Sequence, residues 1–331
     1  MKLEKIKLYG PGFLLALLLG IVVWLVALSA NWLDPLVVGI VCGMVLRTII
    51  GERQKFSPGL NWAPTILIPP GIILYGANLR FNLEVVSPLI WLQILVGLIV
   101  VVWICQSLGR WFKLSSATSL LLAVGTAICG ASAIMIARPA VEGDNRNTAS
   151  AVLVITIWGL FGLLFLPYLA EIFGMDVAAQ ARMFATTLQQ TGLVKAAASH
   201  VGRDCLTMAM TIKVARTVTI IPLLLVVGAL YHLPSLKESS AGAPNFKVRI
   251  PWYLWGFVGC GLLFAFVSGL APYVYPVSML GSLVWTMAMV SIGLTVDMKD
   301  IINTISKPLL VGLIAWLGLI AVFIYAYLNT I

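Results

Sequence analysis

The chain has 331 residues, of which 61% are hydrophobic and 10% are charged, and its mean hydropathy is +1.04. A soluble globular protein is nearer half apolar and a quarter charged, so this composition excludes a soluble domain and predicts a protein whose solvent is lipid. The formal net charge of +9 would suit a nucleic-acid binder. The positions of the basic residues, considered below, give it a different explanation.

Apolar runs long enough to cross hydrocarbon recur from end to end and predict an all-α polytopic membrane protein of about 11 transmembrane helices. A single transporter domain would cover 1–331. The first run is longer than the core of a signal peptide, so we expect it to be retained as a span. The expected spans are 13–30, 35–50, 64–78, 89–108, 117–137, 149–170, 181–200, 206–230, 252–270, 277–296 and 309–328.

Most of the 21 Lys and Arg residues lie in the N-terminal segment and in the loops after even-numbered spans, Arg182 among them. The positive-inside rule then predicts a cytoplasmic N-terminus and an external C-terminus. The external loops would hold only Arg80, Arg138, Arg146 and Arg203. Membrane topology thus accounts for the excess of basic over acidic residues, and no nucleic-acid partner is expected.

Residues 64–112 resemble 277–329, since each segment reads as an apolar helix, a charged corner, a proline and a second long apolar helix. The two copies are seven spans apart and would face opposite ways in the membrane. Inverted repeats of this kind are typical of secondary transporters. The five cysteines show no metal-binding spacing, so we expect neither a metal nor another cofactor.

The stretch "AVGTAICGASAIMIARP", from Ala123 to Pro139, becomes small and polar in the middle of an apolar span. Small residues let helices pack closely, which is one explanation. The other is a broken helix, because irregular backbone at membrane depth is tolerated where it lines a wet cavity. The candidate substrate-binding residues are then Gly125, Thr126, Cys129, Gly130, Ala131 and Ser132.

A second interrupted segment, "FATTLQQTGLVKAAASH", is too polar to face lipid. It adds Gln189, Gln190, Thr191 and Lys195 to the candidate site. Together the segments 117–140 and 181–200 predict two broken helices that cross at mid-membrane.

All acidic residues fall in loops or near span ends, whereas Lys195, Lys213 and Arg216 fall within spans. Lys213 and Arg216 share one helix face and could balance the charge of a ligand, or could snorkel or pair with an acid. A positive site beside helix N-termini attracts anions. Asn78 and Arg80 could line a mouth of the site or could cap a helix.

The motifs "LYGANLRF", "GTAICGASAI" and "KVARTVTIIPLLL" resemble the YeiH-type sulfate exporter family of bacterial inner-membrane proteins, over nearly the whole chain. The resemblance implies a sodium/bile-acid symporter-like fold, with inverted repeats and two broken crossing helices. Many relatives carry a His-Glu-Val-Ala-Gln run where this chain has "QQTGL", from Gln189 to Leu193. The departure removes an acid and an imidazole and makes the site more positive.

These features together predict a secondary transporter of a small anion (sulfate, a sulfonate or another organic or inorganic anion) in the bacterial inner membrane. The sequence leaves open whether H⁺ or Na⁺ is coupled and whether the protein is a homodimer in the lipid. An anion channel or a membrane sensor is an alternative. An intramembrane enzyme is disfavoured, because the chain lacks HExxH, paired membrane aspartates and a mid-span histidine.

Overall fold

The computed structural model describes residues 2–29, 34–78, 86–224, 226–227 and 252–329, without the side chains of 2–7, 78, 254 and 268. Its helices are α1 (Lys2–Leu28), α2 (Pro35–Ile50), α3 (Ser57–Tyr75), α4 (Pro88–Trp111), α5 (Ser116–Ala127), α6 (Ala131–Ala137), α7 (Asn145–Ile172), α8 (Val177–Thr187), α9 (Thr191–Val201), α10 (Arg203–Val218), α11 (Trp252–Phe266), α12 (Val274–Leu294), α13 (Met298–Thr304) and α14 (Ser306–Leu328).

The described part of the chain contains helices and no strands, which confirms an all-α protein. Six of its helical stretches are long and apolar enough to cross a membrane, and shorter apolar helices accompany them. Several helices have an acidic residue at the N-cap position. Asp144 caps α7 and Asp176 caps α8, each accepting a hydrogen bond from a backbone N–H three residues on, which offsets the unpaired amides of a helix start.

The helices run between two ends of a bundle. We call one the basic end, where α2 stops and α3 and α7 start, since Arg47, Arg53 and Arg146 lie together there. The other, the opposite end, holds Asp34 before α2 and the start of α12. α1, α3, α7 and α14 run from the basic end to the opposite end, and α2, α4, α10 and α12 run back.

The first interrupted segment enters from the basic end and returns to it. α5 starts beside the start of α7, where the Thr118 hydroxyl donates to Asn147 Oδ1 at 2.9 Å. After a break at 128–130, α6 runs back along α5, so that Gly143 lies against the side chain of Leu121. α5 and α6 therefore form a re-entrant hairpin, which we call the first hairpin.

The second interrupted segment enters from the opposite end and also returns. Gln190, the last residue of the break at 188–190, donates to the Thr156 hydroxyl of α7 at 3.0 Å. Leu193 already lies against Gly159, one turn nearer the opposite end. α10 then packs along both α8 and α9. α8 and α9 therefore form the second hairpin, which points at the first.

Both helices break inside the segments that the sequence indicated, but they do not cross the bilayer as broken spans. Each half-helix is too short to reach the far side and turns back at its break. This changes the expected topology: Arg138 and Arg146 lie at the basic end, not across from it, and Arg182 lies in the other half, over the ring of Phe323. With Arg138 and Arg146 added and Arg182 removed, the basic end holds more positive charge than the expected topology gave it.

The helices form two bodies. The scaffold body consists of α1–α3, α11 and α12, and the hairpin body consists of α4–α10 and α14, each packed closely within itself. Few contacts join them, mainly those of α7 with α2 and α12 and of α3 with α6. A long seam therefore separates the bodies, and both hairpins lie on one side of it.

Labelling of single cysteines tests the two hairpins. In a background without the native cysteines, we expect Glu142→Cys to react with a membrane-impermeant maleimide from the same side as Arg53→Cys, because the first hairpin returns to the basic end. Glu171→Cys is expected to react from the other side. All three positions are exposed. Eleven simple spans would give the reverse result for both glutamates.

Candidate functional site

The tips of the two hairpins touch in the middle of the hairpin body. Gly130 adopts a φ of 74°, and a Cβ added to it would lie 2.8 Å from the Gln190 side chain. Glycine is the residue that tolerates this conformation and this close approach. The first tip is therefore shaped to receive the second.

Two basic side chains of α10 join the tips. Lys213 Nζ donates to the backbone oxygens of Ile128, Leu188 and Gln189, at 2.8, 2.9 and 2.7 Å. The Arg216 guanidinium donates four bonds, at 2.6–3.0 Å, to backbone oxygens at the ends of α5 and α8. Each of the two residues is 1% exposed. We call this pair the clasp.

The clasp binds the carbonyl ends of the half-helices. The last carbonyls of a helix lack partners within it and carry the negative end of the helix dipole. A buried ammonium and a buried guanidinium satisfy both requirements. Within the described part of the chain, neither cation is within ion-pairing distance of a carboxylate, so the alternative in which they pair with an acid is not observed.

The amide ends of the other two half-helices, α6 and α9, face a cavity of about 510 Å³, which we call the tip cavity. Ser132, at the start of α6, and Thr191 and Gly192, at the start of α9, form part of its wall. Amide N–H groups at a helix start are suited to anions. The lining residues are Asp34, Pro35, Leu36, Tyr75, Ser132, Thr191, Gly192, Met210, Lys213, Val214, Thr217, Ala271, Val274, Tyr275, Ser278, Ser282 and Trp285.

The mouth of the tip cavity lies at the opposite end, where Tyr275 is 71% exposed. Asp34 also lies there and is the single acidic residue in the lining. Burial raises the pKa of its carboxyl above the ordinary value of 3.8, although the backbone N–H groups of Leu36 and Val37 partly offset that rise. The carboxyl therefore holds a proton to a higher pH than an exposed aspartate does.

A second cavity, of about 610 Å³, opens at the basic end of the same seam. It shares no lining residue with the tip cavity. Asn145 of α7 closes part of the seam beside it, donating to Asn61 Oδ1 at 3.2 Å and to Thr295 Oγ1 at 2.7 Å. The tips are thus reached from the opposite end, while the bodies are bonded together at the basic end.

The structure brings some of the candidates from the sequence to the cavity and buries others. Ser132 and Thr191 line it, and Lys213 contributes to its floor. Arg216 lies behind Lys213, bonded to the tips. The remaining candidates of the two breaks are buried at or beside the tips: Gly125, Thr126, Cys129, Gly130, Ala131, Gln189 and Gln190.

Lys195 is not brought to the site. The buried residues of α9 are Leu193, Val194, Ala197 and Ala198, whereas Lys195 is exposed and lines neither cavity. The expectation that its ammonium balances a ligand charge is therefore not supported by the geometry. Arg80 and the side chain of Asn78 lie outside the described residues.

Asp34, Tyr75 and Thr217 are lining residues that the sequence reasoning missed. Tyr75 stands in the quoted "LYGANLRF" motif, and its hydroxyl is hydrogen-bonded to the side chains of Ser132 and Cys129. Asp34 directly precedes a span, where an acidic residue is typically interpreted as a helix N-cap. Asp34 does cap α2, since its side chain accepts a hydrogen bond from the N–H of Leu36, but it also lines the cavity.

Arg216 substitutions test the clasp. Each buried carbonyl left without a donor costs about 1–3 kcal/mol. We therefore expect Arg216→Met to lower the melting temperature strongly, and Arg216→Lys to lower it less, because an ammonium can satisfy some of the four bonds. Lys195→Met, on an exposed face, is the matched control and should change stability by about 0.5 kcal/mol or less. Equal melting of Arg216→Met and the control would contradict the structural role.

The comparisons with known proteins support the assignment of this chain as a membrane protein. UPF0324 membrane proteins of Streptococcus agalactiae serotype V and Bacillus cereus are each 28% identical to this chain, the first covering 94% of it and 95% of the relative, the second 86% and 83%. A UPF0324 membrane protein of Staphylococcus epidermidis is 27% identical, covering 84% of this chain and 83% of its own. No solved structure matches the chain significantly. Residues 11–312 match the family described as conserved hypothetical protein 698, and this multi-pass membrane protein belongs to that family.

Proposed function

We propose that this protein is a secondary transporter of a small anion, such as sulfate, a sulfonate or another organic or inorganic anion, that works by alternating access. The observation that carries the proposal is the clasp. Two buried cations hold the carbonyl ends of α5 and α8 with no carboxylate among the described residues beside them, while the amide ends of α6 and α9 face a cavity.

Electrostatics favours an anion in the tip cavity. A buried cation that is satisfied only by dipoles still projects positive potential, which is weakly screened at low dielectric. Lys213 borders the cavity, with Arg216 behind it. The hydroxyls of Ser132 and Thr191 can donate to a ligand there. Because all three donors of Lys213 are occupied, it contributes charge to the site and leaves direct hydrogen bonding to the hydroxyls.

The seam between the bodies supports alternating access. The tip cavity and the basic-end cavity both lie along it, at its two ends, and both have walls from the two bodies. A shift of the hairpin body against the scaffold body would close one cavity and deepen the other. Carriers built from opposed repeats move in this way around a mid-membrane site.

We further propose that the basic end faces the cytoplasm of a bacterial cell and that the protein lies in the inner membrane. The N-terminus is then cytoplasmic and the C-terminus external. Arg47, Arg53, Arg138 and Arg146 all lie at the basic end, as the positive-inside rule requires of a cytoplasmic face. The resemblance to YeiH-type sulfate exporters agrees with this location.

Thermal melting and flux test the anion proposal. We expect purified protein to be stabilised by at least one anion from a panel of sulfate, sulfonates, carboxylates and halides, and a bound anion at about 100 times its Kd contributes about 2.7 kcal/mol. Ser132→Leu should abolish that stabilisation and the flux into proteoliposomes, because the larger side chain would occupy space in the tip cavity that Ser132 lines. Ser132→Ala, which loses one hydrogen bond to a charged ligand (about 1.5–3 kcal/mol), should weaken binding about tenfold or more.

Lys195→Ala is the control for these variants and should leave binding and flux unchanged. Accelerated exchange by anion on the far side of the membrane would identify a carrier, whereas its absence with non-saturating flux would identify a channel. If no anion in the panel raises the melting temperature above that of the unliganded protein, the proposal is contradicted.

Titration of the Asp34 carboxyl is expected to make anion binding depend on pH. Its raised pKa means that lowering the pH neutralises the carboxylate before an exposed aspartate would be protonated, which removes repulsion at the cavity mouth. We therefore expect anions that do not titrate, such as methanesulfonate, to bind more tightly as the pH falls from about 8 towards the ordinary aspartate range near 4. Asp34→Asn should bind tightly throughout and lose this dependence. A pH profile unchanged in Asp34→Asn would exclude Asp34 as the titrating group.

A further inference from the structure

The surroundings of Lys213 Nζ resemble the coordination shell of a small ion. Three backbone oxygens, of Ile128, Leu188 and Gln189, lie 2.7–2.9 Å from the nitrogen and use all of its donors. They come from both hairpins, so the group they surround is what joins the two tips at this point. The side chain reaches them from a third element, α10.

These oxygens are the kind that bind free cations in carriers. Unwound backbone carbonyls and the carbonyl ends of half-helices coordinate Na⁺ in transporters built from interrupted helices. Each of the three lies at or beside the end of a half-helix, where the dipole adds negative potential. Removal of the ammonium would take the donor away from the oxygens of Ile128 and Gln189, while Leu188 O would keep its bond from Arg216 Nη1 at 2.9 Å.

The charge that fits this shell is a single positive one. The described residues contain no group of three or more His, Cys, Asp or Glu side chains that could hold a metal ion, and the shell contains no carboxylate. Without a carboxylate it would compensate a divalent ion poorly. A monovalent cation or a primary ammonium matches both its charge and its neutral ligands.

We propose that the hairpin tips form a monovalent-cation site whose resident ion is the tethered ammonium of Lys213. The tips are then held together at all times without dissolved Na⁺ or K⁺. For the transport cycle, which rests on the proposed function, it follows that anion movement requires no gradient of either ion.

The test is the response of Lys213→Ala to free cations. The tip cavity opens to solution and Lys213 lines it, so small ions can reach the vacated shell. We expect wild-type protein to melt at the same temperature in Na⁺, K⁺ and choline chloride at equal ionic strength. Lys213→Ala should melt lower in choline, and Na⁺, K⁺ or methylammonium should raise its melting temperature along a saturation curve.

Two variants separate a cation site from general damage. Lys213→Met refills the space with an apolar chain, so its melting temperature should stay low and should not respond to methylammonium. Lys195→Ala, on the exposed face of α9 in the second hairpin, should behave as wild type in every salt. If Lys213→Ala yields no folded protein even when it is extracted in methylammonium, or responds to it no more than Lys213→Met does, the proposal is overturned.

The wild-type protein gives an independent test. Saturable stabilisation of wild type by Na⁺ or K⁺ would show that the ammonium does not fill the need for a cation and would also overturn the proposal. Anion uptake that stops when choline replaces Na⁺ and K⁺ would overturn the transport consequence alone. The melting experiments hold the chloride concentration constant and vary the cation alone, so their outcome does not depend on whether the protein carries an anion.

Discussion

The central constraint is that four helix ends lie inside a membrane protein where water is scarce. A buried carbonyl without a donor is costly, and each broken helix exposes several of them at once. Lys213 and Arg216 supply seven hydrogen bonds to these carbonyls from one face of one helix. Without them these carbonyls would lose their side-chain donors, and the bonds that link the two tips through α10 would be gone.

The clasp also determines which helix ends are left to border the tip cavity. Because the cations take the carbonyl ends of α5 and α8, the ends that border the tip cavity are the amide ends of α6 and α9. Dipoles compensate the two cations and no described carboxylate neutralises them. The same contacts that stabilise the breaks would therefore supply the proposed preference of the cavity for negative charge, so stability and ligand choice could not be changed independently at Lys213 or Arg216.

The sequence predicted where the helices break, because glycines, hydroxyls and amides at 125–132 and 186–195 are incompatible with lipid-facing spans. It could not predict the direction of the chain after each break. Hydropathy is the same for a half-helix that continues and for one that returns. It also favoured Lys195, whose neighbours are polar, over Lys213 and Arg216. The need of broken ends for donors was a better guide, since two cations spaced i, i+3 in the next helix can meet it. Asp34 was missed because capping alone explained it.

The clasp constrains how the site could change its exposure. Its bonds join both hairpins to α10, so the tips move together with the hairpin body. Opening one hairpin by itself would break several short bonds to a buried cation, each worth more than an ordinary hydrogen bond. The seam at the basic end is held more weakly: Asn145 makes two neutral bonds across it, to Asn61 and Thr295. In the proposed transport cycle, exchange of access would therefore cost least if the hairpin body slid as a unit, with the bonds of Asn145 broken and the two tips still in contact.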